Sequence, residues 1–339
     1  MSDISNRKHL DALKYGAAIL AIFLTGLILL STGVFKYPEL LGMAVLSYSF
    51  GLRHAFDADH IAAIDNMTRK LIQEQKKTKG VGFFFSCGHS TVVIIMGLLT
   101  IFAVKWAQAA LPQFQAVGGV IATLVSGVFL ILLAAINFVI LKDILKTFSS
   151  MRNGTYTPES AERPDKGVVN RTINRLFDMV ANNRHVYLVG FLFGLGFDTA
   201  TQIAVLATSA SASAAGIPWV AILAFPILFT AGMSMMDTLD GFFMSTAYQW
   251  VFSSPLRKVY YNLTITGLSI LAAGVIGIIE VGQVFAQESG RDSGFWLWLQ
   301  HLDFNVMGFI LVGMFVVVWA ISFAGWKLLR LSEKENSLA

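Results

Sequence analysis

Residues 40–64 read LLGMAVLSYSFGLRHAFDADHIAAI, an apolar run that carries Arg53, His54, Asp57, Asp59 and His60 in its second half. A run of about 20 apolar residues is long enough to cross a hydrocarbon layer of about 30 Å. Charged groups at the centre of such a helix cost roughly 2.5–3.5 kcal/mol each on insertion scales, so they are rare there unless they do something. Two imidazoles and two carboxylates within seven residues supply the nitrogen and oxygen donors that divalent first-row metals accept. At about 100° per residue, His54, Asp57 and His60 fall within an arc of about 120° on a regular helix. Asp59 points elsewhere, so either it serves a second role or the helix is broken here.

The rest of the chain repeats the same blocks of apolar sequence. Of 339 residues, 55% are hydrophobic and 14% charged, against about 25% charged in soluble domains. Eight spans are expected, near 15–35, 40–64, 81–102, 117–141, 186–209, 219–247, 259–284 and 304–326. Helices are preferred because unpaired backbone is costly in lipid, and the alternating ten-residue strands of a barrel are not seen. The expected fold is therefore an all-α integral membrane protein forming one polytopic domain over 1–339. No cleavable signal peptide is evident before the first span.

The basic residues orient the spans. Of the 25 Lys and Arg residues, 21 fall on one side of the eight-span layout, including Arg69 to Lys79 and Lys142 to Arg184. Lys36, Lys105 and Arg291 fall on the other, and Arg53 lies within a span. By the positive-inside rule both termini are expected in the cytoplasm. The same rule accounts for the net charge of +4 without nucleic acid. Residues 142–185 form the one long polar stretch and read as a cytoplasmic loop, partly helical near 168–180. The single cysteine, Cys87, excludes an internal disulfide and a thiolate-rich metal site.

A weak internal repeat runs through the chain. Phe50-Gly51-Leu52 with Phe56-Asp57 recurs as Phe193-Gly194-Leu195 with Phe197-Asp198. Phe85-Ser86-Cys87-Gly88-His89-Ser90 recurs as Phe229-Thr230-Ala231-Gly232-Met233-Ser234. The offset covers three spans, an odd number, so the copies run in opposite directions. Inverted-topology repeats are typical of secondary transporters, with the substrate site between the halves.

Three of the six histidines, His54, His60 and His89, lie in the second and third spans; His9, His185 and His301 lie near helix ends or loops. With Asp57 and Asp59 they form the candidate metal-ligand set. Asp198, Asp237 and Asp240 are carboxylates inside the fifth and sixth spans, with Gln202 beside Asp198. They could line a cation path, relay protons, or hold imidazole N–H groups from behind. Met233, Met235 and Met236 read as gap-fillers. Glu280 has no motif around it, and Phe295-Trp296-Leu297-Trp298 reads as an interfacial anchor.

The form His54-x4-Asp59-His60 resembles the H-x4-D-H signature of the nickel/cobalt transporter family, NiCoT. The resemblance extends to Phe85-x-x-Gly88-His89-Ser90-Thr91-Val92-Val93, to Leu195-Gly196-Phe197-Asp198-Thr199-Ala200-Thr201 and to Gly232-Met233-x3-Asp237-Thr238-x-Asp240-Gly241. It implies passage of Ni²⁺ or Co²⁺, as substrate and not cofactor, across a bacterial cytoplasmic membrane, with high affinity and without ATP hydrolysis. It implies a metal-binding role for His54, Asp59, His60 and His89. One position departs: the family commonly has Glu where this chain has Gln202.

Other readings are weaker. His54-x4-Asp59 also fits the H-x4-D pair of membrane acyltransferases, but no phosphate-binding block accompanies it. H-E-x-x-H and G-x4-G-K-[ST] do not occur, so neither a zinc protease nor a P-loop ATPase is expected. Three histidines argue against Mg²⁺, which prefers oxygen. Zn²⁺ would accept the same donors.

Overall fold

The computed structural model describes residues 2–102, 104–152, 182–195, 200–251 and 255–328. Among the described residues every regular element is a helix. In chain order they are α1 (Ser2–Ser31), α2 (Glu39–His54), α3 (Ala58–Gln73), α4 (Val81–Phe102), α5 (Val104–Arg152), α6 (Asn183–Gly194), α7 (Ala200–Ala214), α8 (Trp219–Ile222), α9 (Ala224–Val251), α10 (Pro255–Glu288), α11 (Phe295–Gln300) and α12 (Phe304–Leu328). Outward rows of apolar side chains, such as Leu271, Val275 and Ile278 on α10 and Phe309, Ile310 and Val317 on α12, are the faces a bilayer covers. The protein is a multi-pass integral membrane protein.

Among the described residues, five stretches are long and apolar enough to span: Ala12–Ser31, Val81–Phe102, Gly119–Val139, Trp219–Tyr248 and Thr266–Glu288. Eight spans were expected, and the difference has a physical reason. The expected second span is two helices of 16 residues, α2 and α3, and the described parts of the expected fifth are α6 and α7, with 196–199 outside the described residues. The last is α12, whose apolar described core is Val306–Val318. The polar segment expected over 142–185 begins inside a helix, because α5 runs on to Arg152. Residues 153–181, with the helix expected near 168–180, lie outside the described residues.

The break in the second span starts where α2 tightens. The N–H groups of Phe56 and Asp57 bond to the carbonyls of Arg53 and His54, three residues back instead of four. Asp57 is then extended (φ −63°, ψ 141°) and is the residue from which α3 starts, with no side-chain bond to the helix N-terminus. The last helix closes over this turn. Gly308 abuts the Phe56 carbonyl, and Phe56 stacks on Phe309 with centroids 5.0 Å apart.

The repeated blocks meet one another across the molecule. A Cβ at Gly51 of α2 would strike the Phe229 carbonyl of α9, and one at Gly232 of α9 would strike the Tyr48 carbonyl of α2. On the other side, Gly190 of α6 meets the Phe85 carbonyl of α4, and Gly88 of α4 meets the Tyr187 carbonyl of α6. Each half's broken helix thus lies backbone-to-backbone on the other half's long helix. Ser86 and Ser234, at different positions of the two copies of the second block, hydrogen-bond to each other at 2.7 Å.

Overpacking such a seam costs about 1–3 kcal/mol or more. Gly190→Leu is expected to lose most of the monodisperse protein recovered in mild detergent. Gly42→Leu, at a position with nothing within 4 Å of the added carbon, is expected to match the unsubstituted protein on the same size-exclusion trace.

Candidate metal centre

Three imidazoles converge where the broken helix, α4 and α7 meet. His54 is the last residue of α2, His60 stands in the first turn of α3, and His89 lies on α4. Because the helix breaks between them, His54 and His60 do not share one helix face as a regular span would require. Their ring centroids are 4.6 Å apart, and each lies 4.8 Å from that of His89. One nitrogen from each ring can be chosen so that all three lie within 4.8 Å of one another. All three rings are buried, at 2% exposure or less. Phe85 meets His60 edge-on at 4.9 Å, and Phe229 lies 5.5 Å from His54, so the repeat-related phenylalanines wall the cluster on both sides.

The nitrogens on the outer side of two rings face carboxylates. Nδ1 of His60 lies 3.3 Å from Oδ1 of Asp237 on α9. Nδ1 of His54 lies 2.9 Å from Oδ2 of Asp57 and 3.2 Å from Oγ1 of Thr201. An ionised carboxylate can only accept, so Asp237 places the His60 proton on Nδ1 and leaves the lone pair on Nε2; at His54 the Asp57 carboxylate stands close without a hydrogen bond among the described residues, and the Thr201 hydroxyl is the bonded partner. The inward nitrogens are the Nε2 atoms: those of His54 and His89 are 3.0 Å apart, and that of His60 has no hydrogen-bond partner among the described residues. This is the arrangement by which proteins orient imidazole ligands and raise their basicity.

The other candidates take distinct places. Asp57 lies behind His54, not among the converging nitrogens. Asp59 turns back on its own helix, where Oδ1 accepts the His60 backbone N–H at 2.9 Å; that explains its divergence from the other three. Asp240 lies one turn beyond Asp237 on α9. Gln202, in the first turn of α7, puts Nε2 3.2 Å from Nε2 of His54 and in contact with Nε2 of His89. Asp198 lies outside the described residues. Met233 is buried in the apolar core, and Met235 meets the Tyr48 hydroxyl at 3.4 Å, so neither belongs to the cluster. Glu280 is buried beside Gly127, away from these residues.

Sequence reasoning missed a second buried polar group along α3. Asp65 accepts hydrogen bonds from the Tyr248 hydroxyl and, at 2.7 Å, from Ser269; Arg69, one turn on, donates to Thr266. Asn66 is bonded to Asn137 of α5. Asp65 and Asn66, directly after the expected span 40–64, were the available signal, but their partners lie 71 to 204 residues away.

Residues 40–324 match the sequence model of the NicO family, described as high-affinity nickel-transport protein. The chain is 44% identical to the nickel transporter NixA of Staphylococcus aureus, over 98% of both chains. It is 47% identical to the high-affinity nickel-transport protein NixA of Helicobacter pylori, over 84% of this chain and 88% of that one. It is 40% identical to the cobalt transport protein NhlF of Rhodococcus rhodochrous, over 72% and 69%. No solved structure matches.

Removing the carboxylate behind a ligating imidazole commonly weakens metal binding 10–100-fold. Asp237→Asn and Asp57→Asn are each expected to do so for Ni²⁺ titrated into the purified protein. Unchanged affinity in both would remove the orienting role given to them.

Proposed function

The chain belongs to the NicO family of high-affinity nickel-transport proteins, and from that premise we propose that it is a secondary carrier of Ni²⁺, with Co²⁺ as a second substrate. The convergence of three imidazole nitrogens at a helix break inside the membrane carries this reading. In bilayer-spanning carriers, unwound helix segments are tolerated where they line a substrate site.

The ion is held by Nε2 of His54, His60 and His89. Asp57 and Asp237 act from behind the rings, and Asp59 fixes the start of α3. Imidazole ligates only when neutral, so proton and metal compete for these nitrogens. Asp198, Asp240 and Gln202 belong to the path or the surroundings of the site. The two halves form an inverted repeat and rock against each other along the glycine seams, exposing the ion first to one face and then to the other. Both termini lie in the cytoplasm, an orientation that the distribution of basic residues supports, and the protein lies in the cytoplasmic membrane.

Radiolabelled nickel uptake into bacterial cells expressing the chain tests this. Accumulation is expected to exceed an empty-vector control, to fall to that control with His60→Ala, and to be blocked by excess cobalt but not by magnesium. Equal nickel in all three cell types, with the protein verified in the membrane, would defeat the carrier reading.

A further inference from the structure

Gln202 is 1% exposed and reaches into the middle of the histidine cluster. Its amide nitrogen touches the two ring nitrogens, on His54 and His89, that belong to the converging set. Its amide oxygen, equally buried, has no hydrogen-bond partner among the described residues. A carboxamide carries two N–H donors and one oxygen with two lone pairs, on ends of nearly equal size. The N–H end suits whichever of these two nitrogens presents a lone pair; they also lie 3.0 Å apart, within hydrogen-bond distance of each other, so one of them carries a proton until a metal displaces it.

A metal ion takes those same lone pairs. Once it does, the N–H groups of Gln202 face nitrogens that no longer accept, and a cation beside them. Half a turn about the last side-chain bond replaces N–H with oxygen at the same place. Carbonyl oxygens are ordinary donors to divalent metals. From this placement we infer that Oε1 of Gln202 is a direct ligand of the transported ion, the neutral oxygen that joins the three imidazoles. The inference rests on the carrier reading above and adds a residue that touches the cargo.

Two substitutions separate a ligand oxygen from an N–H that merely positions the rings. Gln202→Leu removes both polar atoms at nearly constant volume; Gln202→Ala replaces it if leucine lowers the amount of protein in the membrane. Gln202→Glu keeps an oxygen in place and removes the N–H donors. The readouts are the KM for nickel uptake in cells and the number of nitrogen or oxygen neighbours around nickel in the purified protein, from X-ray absorption. The expected result is at least a tenfold rise in KM and one neighbour fewer for the apolar variant, with Gln202→Glu keeping the full shell and a KM no higher than the unsubstituted protein. A Gln202→Glu variant as impaired as the apolar one would overturn the inference in favour of N–H positioning. An apolar variant unchanged in both readouts would overturn it outright. If the unsubstituted protein neither binds nor takes up nickel, the carrier reading fails as well, and that outcome is distinct from the other two.

Discussion

An imidazole nitrogen held away from water costs free energy until something takes its lone pair or its proton. Three such rings meet at one point in this protein, and much of the surrounding structure answers that demand. Asp57 and Asp237 sit against the outer nitrogens of two of them. Gln202 presents an amide to the inner nitrogens. The helix break between His54 and Ala58 lets two histidines from one span face the same point, at the expense of a continuous hydrogen-bond ladder. That break in turn needs cover, which Gly308 and Phe309 of α12 supply.

The carboxylates are not interchangeable in this scheme. Asp57 and Asp59 stand two residues apart, yet one faces a ring and the other a helix terminus. The difference follows from backbone geometry: Asp57 is the extended residue at the break, while Asp59 already belongs to α3 and can reach the N–H next to it. Farther along α3, Asp65 and Arg69 bury opposite charges among hydroxyl groups from α9 and α10. Removing one partner of such a buried hydrogen bond typically costs about 1–3 kcal/mol, because the other group is left unsatisfied. The helix that starts at the metal cluster is thereby fastened at its far end.

Much of this was legible in the chain itself. Apolar blocks of spanning length announced a helical membrane protein, and the unusual cost of His54, Asp57, His60 and His89 in such blocks pointed to the candidate site. The relative orientation of Asp59 hinted at a break without deciding it, since a regular helix and a broken one differ only in a few backbone angles. The partners of the polar residues were not legible. Asp237 lies 177 residues from His60, and Tyr248 lies 183 from Asp65. No local pattern encodes a contact of that range. Gln202 stood out in the sequence as a missing carboxylate; its buried amide between two rings became visible only once α7 was placed against α2 and α4.

The glycine seams have a consequence for how the two halves resemble each other. At Gly51, Gly88, Gly190 and Gly232 one main chain rests on the carbonyl of another, with no side chain between them. A joint of that kind specifies little beyond the smallest residue on one face, so it leaves neighbouring positions free to drift. Two halves descended from a common ancestor could then lose nearly all likeness elsewhere and still fit together. The short blocks around Gly51 and Gly194, and around Gly88 and Gly232, are what such divergence would spare.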